Sequence, residues 1–322
     1  MLDLPANWET ISQMTDAPQF LDRSAHFQSA QDASEPAAAP IRYEAPFTLN
    51  FPEKMYGPVI FASPHSGNVY PDSMKSALCV PLETVRRTED AFVEELFEDA
   101  PAHGGMLMAA RYARSVTDLN RDPRELDPTM FHDGVPRACG APTARVEAGL
   151  GCLPRVASRG EEIYGQRMSC AEGAARLSDI HDAYHDRLSQ ELTTLKETHG
   201  RVILIDCHSM PSVQPGRRHL ADIVLGDRFG SSCDPRLTGR VERTFRAHGL
   251  TVARNAPYAG GYTTRRYGRP KRNVHALQIE INRGLYMDEE AVHPSANFES
   301  MRTIVSAVIQ EILVASGQVP LR

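Results

Sequence analysis

The sequence predicts an α/β protein, a sheet with helices on its faces. Three observations predict it. Short apolar runs of strand length recur along the chain, and amphipathic stretches of helix length separate them. One run, Val202 to Asp206 (VILID), also has the unbroken aliphatic character of a strand buried on both sides. The 322 residues are enough for one large domain of this class or two small ones, and no composition shift after residue 45 forces a boundary.

The elements follow in order. Residues 1–45 are expected to form an N-terminal extension, partly irregular, and 46–322 a single folded domain. Within the extension, 26–40 (HFQSAQDASEPAAAP) has no strand or helix period and reads as a linker or surface wrap, whereas a short packed helix stays open around Trp8. Residues 58–63 (PVIFAS) read as a buried strand. Residues 83–100 place Val85, Phe92, Val93, Leu96 and Phe97 mostly on one face of a helix. After Gly104 and Gly105, MLMAARYA reads as a second strand. The stretch 171–198 is helix-compatible, and Gly200 closes it ahead of VILID. ADIVLG at 221–226 is a further strand, followed by a helix from Pro235 to Ala247 and a short strand near Thr251. VHALQIEIN at 274–282 alternates as a strand does, and a last helix is expected from Pro294 to Ala315.

Composition removes several classes of function. Lys and Arg number 35 against 41 Asp and Glu, a formal charge of −6, so nucleic acid is not the expected partner. A small acidic ligand needs only two or three placed arginines and is compatible with that balance. No apolar run approaches the ~20 residues of a membrane helix, and the start, MLDLPANWETISQMTD, lacks the basic and apolar regions of a signal peptide. Cytoplasmic residence is the expectation. The six cysteines show no CxxC pairing and read as free thiols.

Four segments place polar groups at the ends of apolar strands, where open α/β sheets carry their sites. They are Ser63-Pro64-His65-Ser66-Gly67, Arg114 with Asp118-Leu119-Asn120-Arg121, Asp206-Cys207-His208-Ser209, and Glu280 within QIEINRG. A lone histidine is usually a surface or hydrogen-bonded residue, but two at strand ends suit the nitrogens of a hydrolytic zinc site, which also needs a carboxylate. His65 and His208 supply the nitrogens. Asp90 is the first candidate for the carboxylate and Glu89 the second, and Asp206 either orients His208 or faces the sheet. Glu280, ionisable in an apolar strand, reads as a general base or as the partner of an arginine such as Arg283.

The arginines suggest an anionic ligand. Asn120 and Arg121 together can hold a carboxylate, Arg114 can face a developing oxyanion, and Arg283 is a candidate for a second carboxylate. Residues 260–269 (GGYTTRRYGR), with Arg265 and Arg266, read either as a flexible loop that closes on the ligand or as a solvated basic loop. Tyr112, Tyr262 and Tyr267 are as well suited to packing as to binding. No phosphate-binding loop is present, and no G-x-S-x-G elbow marks a serine hydrolase.

Taken in order, PHSG with Tyr70-Pro71, the stretch Asp90 to Leu96, DLNR, DCHSMP, GGYTTRRYG and IEINRGLYMDE resemble the N-formylglutamate amidohydrolase family over about residues 55–310. The set is more distantly similar to zinc carboxypeptidases and aspartoacylase. That resemblance implies a mixed sheet of about eight strands flanked by helices and one zinc ion per chain, held by His65 and His208. It also implies Glu280 as the base, Asn120 and Arg121 on a substrate carboxylate, and Arg114 at the scissile carbonyl. In the carboxypeptidase pattern a ligand glutamate follows the first histidine by three residues. Here Asn68 stands there, so the carboxylate falls to Asp90. The activity implied is hydrolysis of N-formyl-L-glutamate to formate and L-glutamate, the last step of one route of histidine degradation. Two other readings stand beside it: the same chemistry on another N-acyl amino acid or short peptide, and a non-enzymatic binder of acidic metabolites. The long N-terminal extension and the prolines near 128–154 have no assigned part in the formylglutamate activity and leave room for a different acyl or amino-acid preference.

Overall fold

The computed structural model describes residues 41–213 and 220–318. The expected linker at 26–40 and the Trp8 region lie outside the described residues. Residues from Ile41 onward form one unit, and Tyr43 is buried in it with its hydroxyl donating to Glu172.

Among the described residues seven strands make one mixed sheet: β1 (Phe47–Asn50), β2 (Val59–Ser63), β3 (Met106–Ala110), β4 (Val202–Met210), β5 (Ile223–Gly226), β6 (Val252–Arg254) and β7 (Val274–Asn282). Their order is β1-β3-β2-β4-β7-β5-β6. The central four, β3, β2, β4 and β7, run parallel, while β1 and the β5–β6 pair lie antiparallel to them at the two sides. The main sheet thus has seven strands where about eight were expected. Met287–Asp288 and His293–Pro294 form a separate two-stranded ladder.

The helices follow the expected alternation, with informative exceptions. Short α1 (Asp72–Ala77), α2 (Leu82–Arg86), α3 (Val93–Leu96) and α4 (Ala144–Glu147) precede one long helical run. That run begins as α5 (Cys170–Ala175), widens to a π-helical segment over Arg176–Asp182, and continues as α6 (Ala183–His199). Gly200, at φ 73°, ends it, its N–H donating to Lys196 O. α7 (Pro235–Ala247) starts as foreseen, with Asp234 capping Arg236 N and proline in the first turn. α9 (Phe298–Gln318) begins later than expected because His293–Pro294 is taken by the small ladder.

Two cores lie on the two faces of the sheet. Ile203, Ile205, Leu277 and Ile279 meet Leu96 and Phe97 and the inner side of α7 and α9, whereas Val202, Leu204 and Ala276 meet Leu188, Leu192 and Leu195 of α6. Strand residues alternate between faces, so each central strand is apolar on both sides. A third, smaller core of Leu126, Met130, Phe131, Cys152, Leu153, Met168 and Leu177 supports the long connection after β3. Among the described residues no helix is long and apolar enough to cross a membrane.

The helix expected over 83–100 is two short helices. The chain breaks at Thr88–Phe92, where Asp90 N donates to His65 O at 3.0 Å and Phe92 adopts a left-handed φ of 65°. An unbroken helix would have bonded that N–H internally. The break turns Asp90 toward the strand ends.

Candidate metal centre

On β4, Val202, Leu204, Asp206 and His208 share one face. The first two are core, and the next two are polar groups at the carboxyl end of the same row. β7 repeats the pattern with Ala276, Gln278 and Glu280, in register so that Asp206 faces Gln278 and His208 faces Glu280. On the other side Ala62 of β2 pairs with Asp206, and β2 leads through Pro64 to His65. Three parallel strands therefore deliver His65, His208 and Glu280 to one edge, the carboxyl end at which open sheets bind ligands.

There His65, Asp90 and His208, all buried, bring their ligand atoms within 4.8 Å of one another. Asp90 Oδ2 lies 2.9 Å from His208 Nδ1 and 3.4 Å from His65 Nδ1, so the two Nδ1 atoms converge on one carboxylate oxygen. The other oxygen, Oδ1, accepts from Arg283 at 2.9 Å and from Arg114 at 3.5 Å. Behind each ring stands a further carboxylate. Asp118 Oδ1 is 2.7 Å from His65 Nε2, and Asp206 Oδ1 is 3.1 Å from His208 Nε2. Asp206 thus stands beside the His208 ring, on the strand face that the two share. Glu89 points elsewhere, its carboxylate accepting from Tyr70 and Arg86.

This cluster suits a cation. Burial alone would raise the Asp90 carboxyl, but the hydrogen bond from His208 and the His65 ring close beside it hold it well below the usual range. Asp118 is likewise held low against its burial by the charges of His65, Arg114 and Arg121. Burial works against a charged His208, yet Asp206 raises its proton affinity well above the ordinary value. The field at the rings therefore favours positive charge. His65 Nδ1, buried, has no hydrogen-bond partner among the described residues. Two imidazole nitrogens and a carboxylate oxygen, each ring backed by an outer carboxylate, form a donor set that can hold a metal ion. Beside it, burial pushes the Glu280 carboxyl up to about 7 despite the His208 charge, and Gln278 Nε2 donates to its Oε1.

The cluster opens into a cavity of about 650 Å³, lined among others by Arg114, Arg121, Glu280 and Arg283. Arg283 is engaged with Asp90, with Ser209 Oγ at 3.1 Å and with Arg87 O, so its guanidinium braces the cluster. Asn120 is built into the protein as well: Nδ2 lies 3.0 Å from His208 Nε2, and Oδ1 accepts from Thr263 N at 2.8 Å. The segment expected to be a flexible or solvated loop is largely a short helix, α8 (Tyr262–Tyr267). Its Arg265 faces Asp122, and its Arg266 donates to Tyr262 Oη, so neither lines the cavity. Gly261 is needed there for space, because a Cβ would sit 2.4 Å from the Asn120 side chain.

Sequence reasoning gave no role to Asp118, Gln278 or Arg145, which also lines the cavity. Asp118 stood within DLNR, and Gln278 lies two residues before Glu280 and thus on its strand face, a signal available in the period of 2. Arg145 carried no such signal, since it lies in the irregular connection.

Known proteins resemble the chain over most of its length. The family model described as N-formylglutamate amidohydrolase matches residues 57–287. A protein of Pseudomonas aeruginosa named N-formylglutamate deformylase is 32% identical over 263 residues, covering 80% of this chain and 91% of that one. A Pseudomonas putida protein of the same name is 31% identical over 265 residues, with the same shares. Among solved structures, N-formylglutamate amidohydrolase from Ralstonia eutropha JMP134 superposes with a TM-score of 0.80 at 34% identity, covering 85% of this chain and 99% of that one.

Proposed function

The chain belongs to the N-formylglutamate amidohydrolase family, and on that premise we propose that it hydrolyses the amide of an N-acyl acidic amino acid, N-formyl-L-glutamate to formate and L-glutamate, with one zinc ion per chain. The observation that carries the reading is the convergence of His65 Nδ1, His208 Nδ1 and Asp90 Oδ2 beside Glu280 at the floor of an arginine-lined cavity. His65, Asp90 and His208 would hold the ion. Its contribution there would be Lewis-acid polarisation of the acyl carbonyl.

The rest belongs to side chains. Glu280 takes a proton from the attacking water as the O–C bond forms. It then passes that proton to the amine nitrogen as the C–N bond breaks. A carboxyl near neutrality is suited to both halves of that transfer. Arg114, anchored by Asp118 at 2.7 Å, offers positive charge to the carbonyl oxygen as its charge grows. Arg121, fixed by its own bond to Asn120 O, holds a substrate carboxylate.

Formate release from N-formyl-L-glutamate, and glutamate release from N-acetyl-L-glutamate, test the reading beside formate release from N-formyl-L-methionine. Preference for formyl over acetyl and for glutamate over methionine is expected. Equal rates on all three would move the substrate to N-acyl amino acids at large, and no release from any would overturn the reading.

A further inference from the structure

Among the described residues five arginines line the cavity: Arg87, Arg114, Arg121, Arg145 and Arg283. Three are matched by acids, Arg87 with Glu290, Arg114 with Asp118 and Arg283 with Asp90. Two are not. Among the described residues Arg121 donates only to carbonyl oxygens, those of Leu150 and Asn120. For Arg145, as for Arg121, no carboxylate lies within ion-pair distance among the described residues. The largest influence on Arg145 is the like charge of Arg121, which lowers its proton affinity. The charges of Glu125 and Asp118 act the other way on Arg145, which is exposed to solvent, and an anion bound between it and Arg121 would relieve the remaining repulsion.

The position of Arg145 is braced. It lies on α4, whose first turn is capped by Thr143 accepting from Val146 N, and Val146 is buried beneath it. Gly149, at φ 76°, turns the chain there, and Gly151 packs where a Cβ would sit 2.5 Å from Glu125 O. The same connection stands on its own apolar core around Leu126, Phe131 and Leu153. The irregular, proline-bearing stretch is therefore a fixed wall that carries a cation to the cavity.

We propose that Arg145 is the specificity-determining residue for a second carboxylate, acting with Arg121 so that the cavity selects dianions over monoanions. The inference rests on the substrate reading above and assigns the residue that distinguishes glutamate from a neutral side chain. The two guanidinium groups that have no ion-pair partner among the described residues, Arg121 and Arg145, match the two carboxylates of an N-acyl acidic amino acid.

Calorimetric titration of the zinc-loaded protein with glutarate and with butyrate tests it, because the two ligands differ by one carboxylate. Wild type should bind glutarate about ten- to a hundredfold more tightly, the range of a charge-assisted bidentate contact. Arg145→Ala should bring that ratio close to one, and Arg145→Lys should restore part of it. A ratio that survives in Arg145→Ala, or wild type that does not distinguish the ligands, overturns the proposal. If glutarate selectivity depends on Arg145 but N-formyl-L-glutamate is not cleaved, the substrate reading falls and the assignment of Arg145 stands.

Discussion

The carboxylate of Asp118 stands 2.7 Å from Nε2 of His65 and, through its other oxygen, 2.7 Å from Arg114. One buried acid thus sets the ring that faces Asp90 and the cation that faces the cavity. Outer carboxylates of this kind fix the orientation of a ligating ring and raise its basicity. Asp118→Asn should therefore weaken zinc binding about 10- to 100-fold. Competition against a chromophoric chelator reads this directly, and unaltered affinity would remove Asp118 from that role.

Glu280→Gln keeps the shape of the side chain and its ability to accept from Gln278, and removes the proton acceptor. Turnover should fall by about 10²–10⁴-fold, the usual worth of a positioned acid–base group, while zinc stays bound. Full activity in that variant would require another base.

The pH profile should carry the same signature. A base acts as its anion, so kcat/KM is expected to fall as pH drops through the Glu280 value, which burial raises to about 7 before the effect of a bound cation. A neighbouring cation favours the charged form, so with zinc the limb should lie below that value. Gln278 donates to the carboxylate and also favours the charged form. Gln278→Leu should therefore move the acid limb to higher pH. A limb that stays in place would show that another group titrates there.

Gly261→Ala places a Cβ against Asn120, which touches His208. A drop of about tenfold or more in kcat/KM is expected, since a small misplacement at the reacting centre is costly. Gly317→Ala, where nothing lies near the added carbon, serves as the control and should leave rates as they are. Equal behaviour of the two variants would mean that α8 yields without disturbing Asn120.

Much of this was legible in the sequence. VILIDCHSM announces a buried strand that ends in a histidine, and the period of 2 already places Asp206 and His208 on one face. Asp90 is the first carboxylate candidate in the sequence, with Asn68 standing where the resembled carboxypeptidase pattern has its glutamate, and the geometry puts Asp90 between the two rings. The break that turns it inward was not legible, because the apolar positions from Val85 to Phe97 keep a helical period while the Asp90 N–H is claimed by a distant carbonyl, His65 O. Arg265 and Arg266 drew attention by composition alone. That neither lines the cavity depends on their packing against Tyr262 and Tyr267, which no spacing encodes. Arg145 was hidden for the opposite reason: its segment folds on scattered apolar residues without a period.

The central claim is that hydrolysis depends on a metal ion at His65, Asp90 and His208. Metal content and formate release from N-formyl-L-glutamate, measured on one purified sample before chelation, after it and after zinc is restored, test it most directly. The expected result is close to one metal ion per chain, with release lost on chelation and recovered with zinc. Release that continues in the metal-stripped protein would contradict the account.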